Sequence, residues 1–388
     1  MGLPDFRSLK PELVRLRRDL HRHPELAFQE ERTSRVVADY LGELGIPAAR
    51  GIAGTGVVGL IEGAKPGPVL LIRADMDALP ITEANDHGFC SENPGVMHAC
   101  GHDGHTAIAL VVAQCLHGLR DRLSGQVKMV FQPAEEGPGG ARPMIEAGVL
   151  ENPTVDAALG LHLWNDLPIG TLGVRDGPLL ASTDRIEIRL RGKGGHAASP
   201  HQAIDPIVAG AHLVTALQTV VSRSLDPLQA AVVSITQFHA GTTDNVIPGE
   251  ATLVGTMRSF VPSVRTMLAE RVGAMVAQVS SAFQVEGEFL YTPNYPPTVS
   301  DPQMCNLVRE AAGQVVGESA VVVPGMTMGG EDMAFFLEKV PGCFFCVGSS
   351  NEAEGKTHAH HNPRFDFDEE ALVVGTEVMV RSALAFLS

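Results

Sequence analysis

The sequence predicts an α/β protein: a mostly parallel sheet covered on both faces, into which a smaller ferredoxin-like domain is inserted. Three observations carry this reading. The chain has 388 residues, more than one hydrophobic core normally serves. Its first half alternates near-continuous apolar runs with helical stretches, the pattern of parallel strands buried on both faces. From Thr183 the period changes to half-buried strands around two amphipathic helices.

The elements follow in order. A helical pattern runs from Pro11 to roughly Leu44 and is interrupted by the polar "HRHPE" stretch. "VVGLIEG" and "GPVLLIRADMDALP" read as strands, "HTAIALVVAQCLHGL" as a buried helix and "GQVKMVFQPAEEG" as a strand. "GARPMIEAGVL" then reads as a helix and "VDAALGLHLW" as a strand. In the next segment "TDRIEIRLRG" is a strand, "DPIVAGAHLVTALQTVVSR" a helix, and "AAVVSITQFHAG" and "EATLVGTMRSF" two strands. "PSVRTMLAERVGAMVAQVSSAF" is a helix and "EGEFLYTPNY" a strand, giving the β-α-β-β-α-β order of the split βαβ arrangement. The expected domains are therefore residues 1–180 with 297–388, and residues 181–296 as the insertion.

Composition narrows the function classes. With 44% hydrophobic and 19% charged residues the chain reads as an ordinary soluble enzyme. A formal net charge of −16 argues against nucleic acid and against an anionic membrane surface as partners. No window approaches the roughly 20 apolar residues of a membrane span. The N-terminal segment has no apolar signal core, and Phe6 stands where a myristoylation site needs Ser or Thr. Six irregularly spaced cysteines predict reduced thiols in a cytoplasm. Cys343 and Cys346 lie in an apolar strand and read as core, while Cys90 and Cys305 have no companions in the sequence. "GTGVVG" matches G-x-G-x-x-G but precedes a strand and opens no helix, so a dinucleotide site is set aside.

Ligands of parallel α/β sheets bind beyond the carboxyl ends of the strands. Asp75 and Asp77, Glu135 and Glu136, His162, and the group His358, His360 and His361 all follow strands, and "MHACGHDGH" lies in a loop on the same edge. Thiolate, imidazole and carboxylate donors together suit zinc, manganese, cobalt or nickel better than magnesium or calcium. The donors suffice for two ions about 3.5 to 4 Å apart. Of the adjacent glutamates, one can bind metal while the other faces the substrate as general base, because neighbouring side chains diverge at a strand end. Asp103 reads as an orienting or capping residue, and His98 and His105 as loop and helix-start residues.

"RRDLHRHPELAFQE", "RADMDALP", "MHACGHDGH", "FQPAEEGPGGARPMIEAG", "GLHLW", "GKGGHAASPHQAIDP", "NVIP" and "MGGEDMAFF" occur in this order along nearly the whole chain. Together they resemble the dinuclear metal-dependent amidohydrolases that include hippurate hydrolase, N-acyl-amino-acid amidohydrolases and indole-3-acetyl-amino-acid hydrolases, within the aminoacylase and carboxypeptidase superfamily. The resemblance implies Cys100, His102, Glu136, His162 and His361 as metal ligands, with His358 and His360 as competitors for the last position. It implies Glu135 as general base, Asp77 as an orienting residue of the catalytic set, and leaves Asp75 without a role. In the inserted domain it implies a lid that also joins subunits into a homodimer or homotetramer. The lid histidine, His196, would steady the oxyanion in a neighbouring subunit, and Asn245 and Arg258 would hold the substrate carboxylate. For Arg258 a plain strand-face charge is the competing reading.

The expected reaction is hydrolysis of a small N-acyl amino acid to a carboxylic acid and a free amino acid, by metal-activated water and Glu135. A dipeptidase or an N-acetyl-diaminopimelate deacetylase would use the same donors on another substrate. A metal-binding relative without turnover is the alternative of a different class, and an intact Glu135 argues against it.

Overall fold

The computed structural model describes Gly2–Ser388, and the chain divides into two compact units. The first comprises the residues up to Gly177, Val299–Gly325 and Asp332–Ser388; the second comprises Pro178–Thr298 and Met326–Glu331. The short Met326–Glu331 segment, which sequence patterning left in the larger domain, clusters with the second unit.

The first unit is built on an eight-stranded sheet in the order Ala48–Ile52, Gly56–Glu62, Ser124–Gln132, Lys65–Asp75, Ala157–Pro168, Gly342–Ser350, Leu172–Gly173, Val321–Val322. The four central strands are parallel; Gly56–Glu62 on one side and Leu172–Gly173 on the other join them antiparallel, and Val321–Val322 runs parallel to Leu172–Gly173. Gly342–Ser350 is buried along its length except for its last residue, as a central strand covered on both faces must be. Cys343 and Cys346 are both fully buried in this strand. Cys305, expected to stand alone, lies 3.6 Å from Cys343 Sγ, because the Pro302–Val316 helix carries its apolar face onto that strand. All six cysteines are free thiols.

Two helices explain how charge enters this core. Lys10–Arg22 buries Leu13, Leu16, Arg17, Leu20 and His21, a stripe at helical spacing in which two basic residues occupy core positions. His102–Gly118 buries nearly every residue and lies flat on the sheet. Gly104 makes that approach feasible: a Cβ there would sit 2.5 Å from Leu163 Cδ1 and 2.8 Å from Phe367 Cζ. The helix starts from Gly101 at φ 92, a backbone angle that favours glycine.

The second unit has the four-stranded antiparallel order Ala231–Ala240, Glu250–Ser259, Asp184–Arg191, Glu286–Pro293. Ile186, Ile188 and Leu190 alternate inward, against Leu213 and Leu217 of helix Pro206–Ser224 and Leu268 and Val272 of helix Pro262–Ala282. Asp205 caps the first of these helices by accepting from Ile207 N and Val208 N. The observed order is the β-α-β-β-α-β arrangement. No helix among the described residues is long and apolar enough to cross a membrane.

Candidate metal centre

The first unit gathers the predicted donors through offsets in strand pairing. Lys65–Asp75 pairs with Ala157–Pro168 only as far as Arg73 opposite Gly160. His162 lies two residues beyond that point, so it clears the neighbouring strand although it is inside its own strand, which runs on to Pro168. The sequence pattern predicts it at a strand end. The loop before helix His102–Gly118 supplies Cys100, and the helix itself opens with His102.

Cys100, His102 and His162 form one group whose donor atoms all lie within 4.8 Å of one another, and Cys100, Glu136 and His361 form another. Cys100 Sγ is 3.5 Å from His162 Nε2, and His361 Nε2 is 3.0 Å from Glu136 Oε1. The C-terminal histidines separate by geometry: His360 Nε2 lies 2.9 Å from the Leu163 carbonyl, while the His358 carbonyl accepts from Asn165. His361 is therefore the one of the three that joins the cluster, from a backbone at φ 65.

Hydrogen bonds select which ring nitrogen each histidine presents. His102 Nδ1 donates to the Asp77 carbonyl at 2.9 Å, and His162 Nδ1 donates to the Leu163 carbonyl at 2.6 Å. Both rings therefore turn Nε2 into the cluster, the nitrogen that would bind a metal in its unprotonated form. His102 Nε2 is buried and has no hydrogen-bond partner. Such an orphan costs about 1 to 3 kcal/mol unless something occupies it. A soft thiol, Nε2 imidazoles and a carboxylate fit a borderline divalent cation.

Electrostatics state the same demand. Burial, with Glu136 and Glu135 alongside, pushes the Cys100 thiol far above its ordinary range. Burial pulls His102 down, but Asp75 and Asp77 outweigh it and push the imidazole up to about 10. Burial, with His105 and His360 nearby, holds His162 well below the ordinary histidine range. A dication in the cluster would replace the protons on Cys100 and His102 and offset the surrounding carboxylates.

The glutamates do not diverge as an extended strand would make them. The chain turns after Gln132, Ala134 takes φ 58, and both carboxylates come within 4.8 Å of His102. A left-handed non-glycine residue costs about 1 to 2 kcal/mol. Asp77 fixes the turn: its Oδ1 accepts Glu135 N at 3.0 Å and its Oδ2 accepts Glu136 N at 2.9 Å. Glu136 also belongs to the group with Cys100 and His361, which separates its position from that of Glu135.

Asp75, without a role in the sequence reading, joins a buried network. Its Oδ2 meets Arg73 Nη1 at 2.6 Å and its Oδ1 meets His105 Nδ1 at 2.6 Å. His105 Nε2 accepts Leu163 N, so this ring is neutral, satisfied at both nitrogens and unavailable as a ligand. Arg73 also bonds Asp332 at 2.9 Å, and Gln132 links the two. Arg73, Asp332 and Gln132 escaped the sequence reading; a charged Arg73 inside an otherwise apolar strand was the available signal.

Asp103 makes no helix cap. It accepts Arg17 Nε at 3.0 Å and His21 Nδ1 at 2.8 Å, while His21 Nε2 donates to Glu83 at 3.1 Å. Burial disfavours a charged His21, but hydrogen bonds to Asp103 and Glu83 raise it overall, so it sits as an imidazolium between two carboxylates. That pairing accounts for the group His21, Glu83 and His87 without a metal. His98 is buried, and burial lowers it to about 3, leaving a neutral ring.

In the second unit, His196 lies on the two-residue strand Gly195–His196 opposite Val246. Its Nδ1 accepts Ala198 N at 3.0 Å, and the neighbouring Ala197 N donates to the Asn245 carbonyl at 3.0 Å. His196 and Asn245 are thus adjacent and exposed. Arg258 is eight residues along its strand from Glu250, roughly 25 Å at extended rise. It is half-buried, and burial lowers its pKa. This unit does not bring Arg258 beside the other two.

A parallel α/β sheet that converges Cys, His and Glu donors on one edge, with a further carboxylate beside them, defines a metal-dependent hydrolase. Residues 71–385 match the model of peptidase family M20/M25/M40, and the chain belongs to that family. It is 42% identical over 386 residues to the N-acetylcysteine deacetylase of Bacillus subtilis (strain 168), covering 98% of each chain. It is 46% identical over 294 residues to the N-acyl-L-amino acid amidohydrolase of Geobacillus stearothermophilus, covering 76% of this chain and 79% of that one. A crystal structure from Bacillus subtilis, described as a dinuclear metal binding peptidase of the M20 family, superposes with a TM-score of 0.87 at 39% identity, covering 98% of this chain and 99% of that one.

Proposed function

We propose that this protein is a metal-dependent amidohydrolase that cleaves N-acyl amino acids to a carboxylic acid and a free amino acid. One observation carries the reading: Cys100 belongs to two donor groups at once, His102 with His162 and Glu136 with His361, while Glu135 stands beside them. A thiol shared in this way suits a pair of divalent cations, and two relatives, at 42% and 46% identity, act on acylated amino acids by name. Such cations polarise an amide carbonyl and lower the pKa of water toward neutrality. Zinc, manganese, cobalt and nickel all suit the donor set.

Cys100, His102, Glu136, His162 and His361 would hold the cations. Glu135 takes the proton of the attacking water and returns it to the leaving nitrogen. Asp77 orients His102 through its carbonyl, and its carboxylate fixes the backbone of both glutamates. The partner subunit's His196 would steady the oxyanion, and Asn245 and Arg258 would meet the substrate carboxylate; because one copy of the second unit does not bring Arg258 beside Asn245, these two would come from different subunits. The second unit also joins subunits into a homodimer or homotetramer, which sedimentation tests. Six free thiols support a reducing compartment, such as a cytoplasm, for the reaction.

The decisive variant is Glu135→Gln. It lowers kcat on N-acetyl, N-benzoyl or N-indoleacetyl amino acids by roughly 10²- to 10⁴-fold while metal content by mass spectrometry stays at two per chain. Undiminished turnover removes Glu135 as base. Full activity after exhaustive chelation into metal-free buffer removes the metal reading.

A further inference from the structure

Three successive backbone amides after strand Ser124–Gln132 are each taken by a buried carboxylate. Glu135 N and Glu136 N go to Asp77, and Ala134 N donates to Glu30 Oε1 at 2.9 Å. The same Glu30 oxygen accepts Phe28 N at 3.0 Å, and the Thr55 hydroxyl donates to Oε2. Glu30 is completely buried.

The backbone angles give this arrangement a purpose. Six non-glycine residues among those described have positive φ, and Phe28 at 59 and Ala134 at 58 are two of them. One carboxylate oxygen thus pins two left-handed residues on two separate segments. The segments are also packed tightly: a Cβ on Gly137 would sit 2.9 Å from the Ala27 Cβ. Without an acceptor at its N–H, alanine prefers right-handed or extended backbone. A change of φ at Ala134 swings the following peptide and carries Glu135 with it.

We propose that Glu30 is a positioning residue for the hydrolysis: its carboxylate holds Ala134 in the left-handed conformation that aims Glu135 at the attacking water. This rests on the assignment of Glu135 as general base. Asp77 and Glu30 then divide the work, Asp77 fixing the two glutamate amides and Glu30 fixing the residue that enters the turn. A buried glutamate far from the donors in sequence becomes part of the machinery without touching substrate.

The test is a rescue. In the metal-loaded enzyme, Glu30→Ala lowers kcat about 30-fold, as expected of an angstrom-scale misplacement of the base. KM stays within about twofold, because substrate binding is not addressed, and metal content stays at the wild-type value. Adding Ala134→Gly in that background restores kcat at least about tenfold, since glycine adopts the left-handed angle without a pin. An unchanged kcat in Glu30→Ala overturns the proposal, and so does a loss that Ala134→Gly fails to restore. If Glu30→Ala does not fold, Glu30→Gln with and without Ala134→Gly is read the same way, with a severalfold loss and its recovery expected. Glu135→Gln measured alongside separates the failures. Turnover by Glu135→Gln removes the base, whereas an inactive Glu135→Gln beside an unimpaired Glu30→Ala removes only the positioning role.

Discussion

His102 and Asp103 are neighbours at the start of one helix, yet they serve opposite kinds of buried polarity. His102 faces a cluster with an unpartnered Nε2 and a thiol that burial keeps protonated. Asp103 faces the Lys10–Arg22 helix, where Arg17 also meets Asp366 at 2.7 Å and Glu369 at 3.1 Å, and where Phe89 and Phe367 flank the guanidinium. The first region sets a thiol and several carboxylates around one raised imidazole, His102, and a divalent cation would offset them; the second already matches Asp103, Asp366 and Glu369 with Arg17 and His21, leaving Asp103 Oδ1 as the one buried carboxylate oxygen there without a hydrogen bond. Burial of charge alone does not mark a site. The mark is a donor set left unpaired, because an interior tolerates polar groups only when they are partnered.

The contrast predicts different consequences on its two sides. Cys100→Ala strikes both donor groups, so metal content falls below two per chain. Catalytic efficiency then drops by more than the roughly 10- to 100-fold that loss of an outer partner costs. Full metal content in that variant would end the comparison. Arg17→Met should leave metal stoichiometry intact and act on stability, because Asp103, Asp366 and Glu369 lose a shared partner. A cost of about 3 to 5 kcal/mol in urea unfolding is expected, and loss of metal without loss of stability would reverse the assignment.

The acid limb is smaller. Burial opposes ionisation of Glu83, but its hydrogen bond and charge interaction with His21 lower it to about 2. A carboxylate depressed in the fold contributes stability that is full above its unfolded pKa near 4.5 and is lost as pH falls toward 2. His21, raised by the same pair, contributes below about 6.5 and loses that contribution as pH climbs past its folded value. Glu83→Gln should therefore flatten the acid side of the stability profile by about 2 kcal/mol after solvent screening. An unchanged profile would show that the pair contributes nothing. The smallest effect is optical. Trp164 lies 5.3 Å from the His162 ring and 5.4 Å from the His360 ring, centre to centre, so its emission should shift when metal is restored to apoprotein. An unaltered spectrum would separate the tryptophan from the centre.

Much of the centre was legible as residue types, because the donor atom a side chain offers is fixed by the residue itself. The roles were less legible. Asp75 and Asp77 share a spacing that would put both on one strand face, but the strand stops at Asp75. Asp75 therefore turns to Arg73 and His105, while Asp77 reaches the amides of Glu135 and Glu136. His358, His360 and His361 were equivalent by composition, and backbone direction in the loop separated them. Arg17 read as one of several charges at the start of the first helix and His21 as part of the polar "HRHPE" stretch, and neither was given a role.

The order of elements, the β-α-β-β-α-β insertion pattern and the chemistry of the donor set were determined by the sequence alone, because periodicity and side-chain chemistry are local properties. The partner of each buried charge, the tautomers of His102 and His162, and the left-handed Ala134 that turns both glutamates inward were decided by the tertiary structure. These depend on groups brought together from distant segments, as Glu30 meets Ala134 and Asp103 meets Arg17. In a low-dielectric interior, it is the partner that sets what a polar group can do.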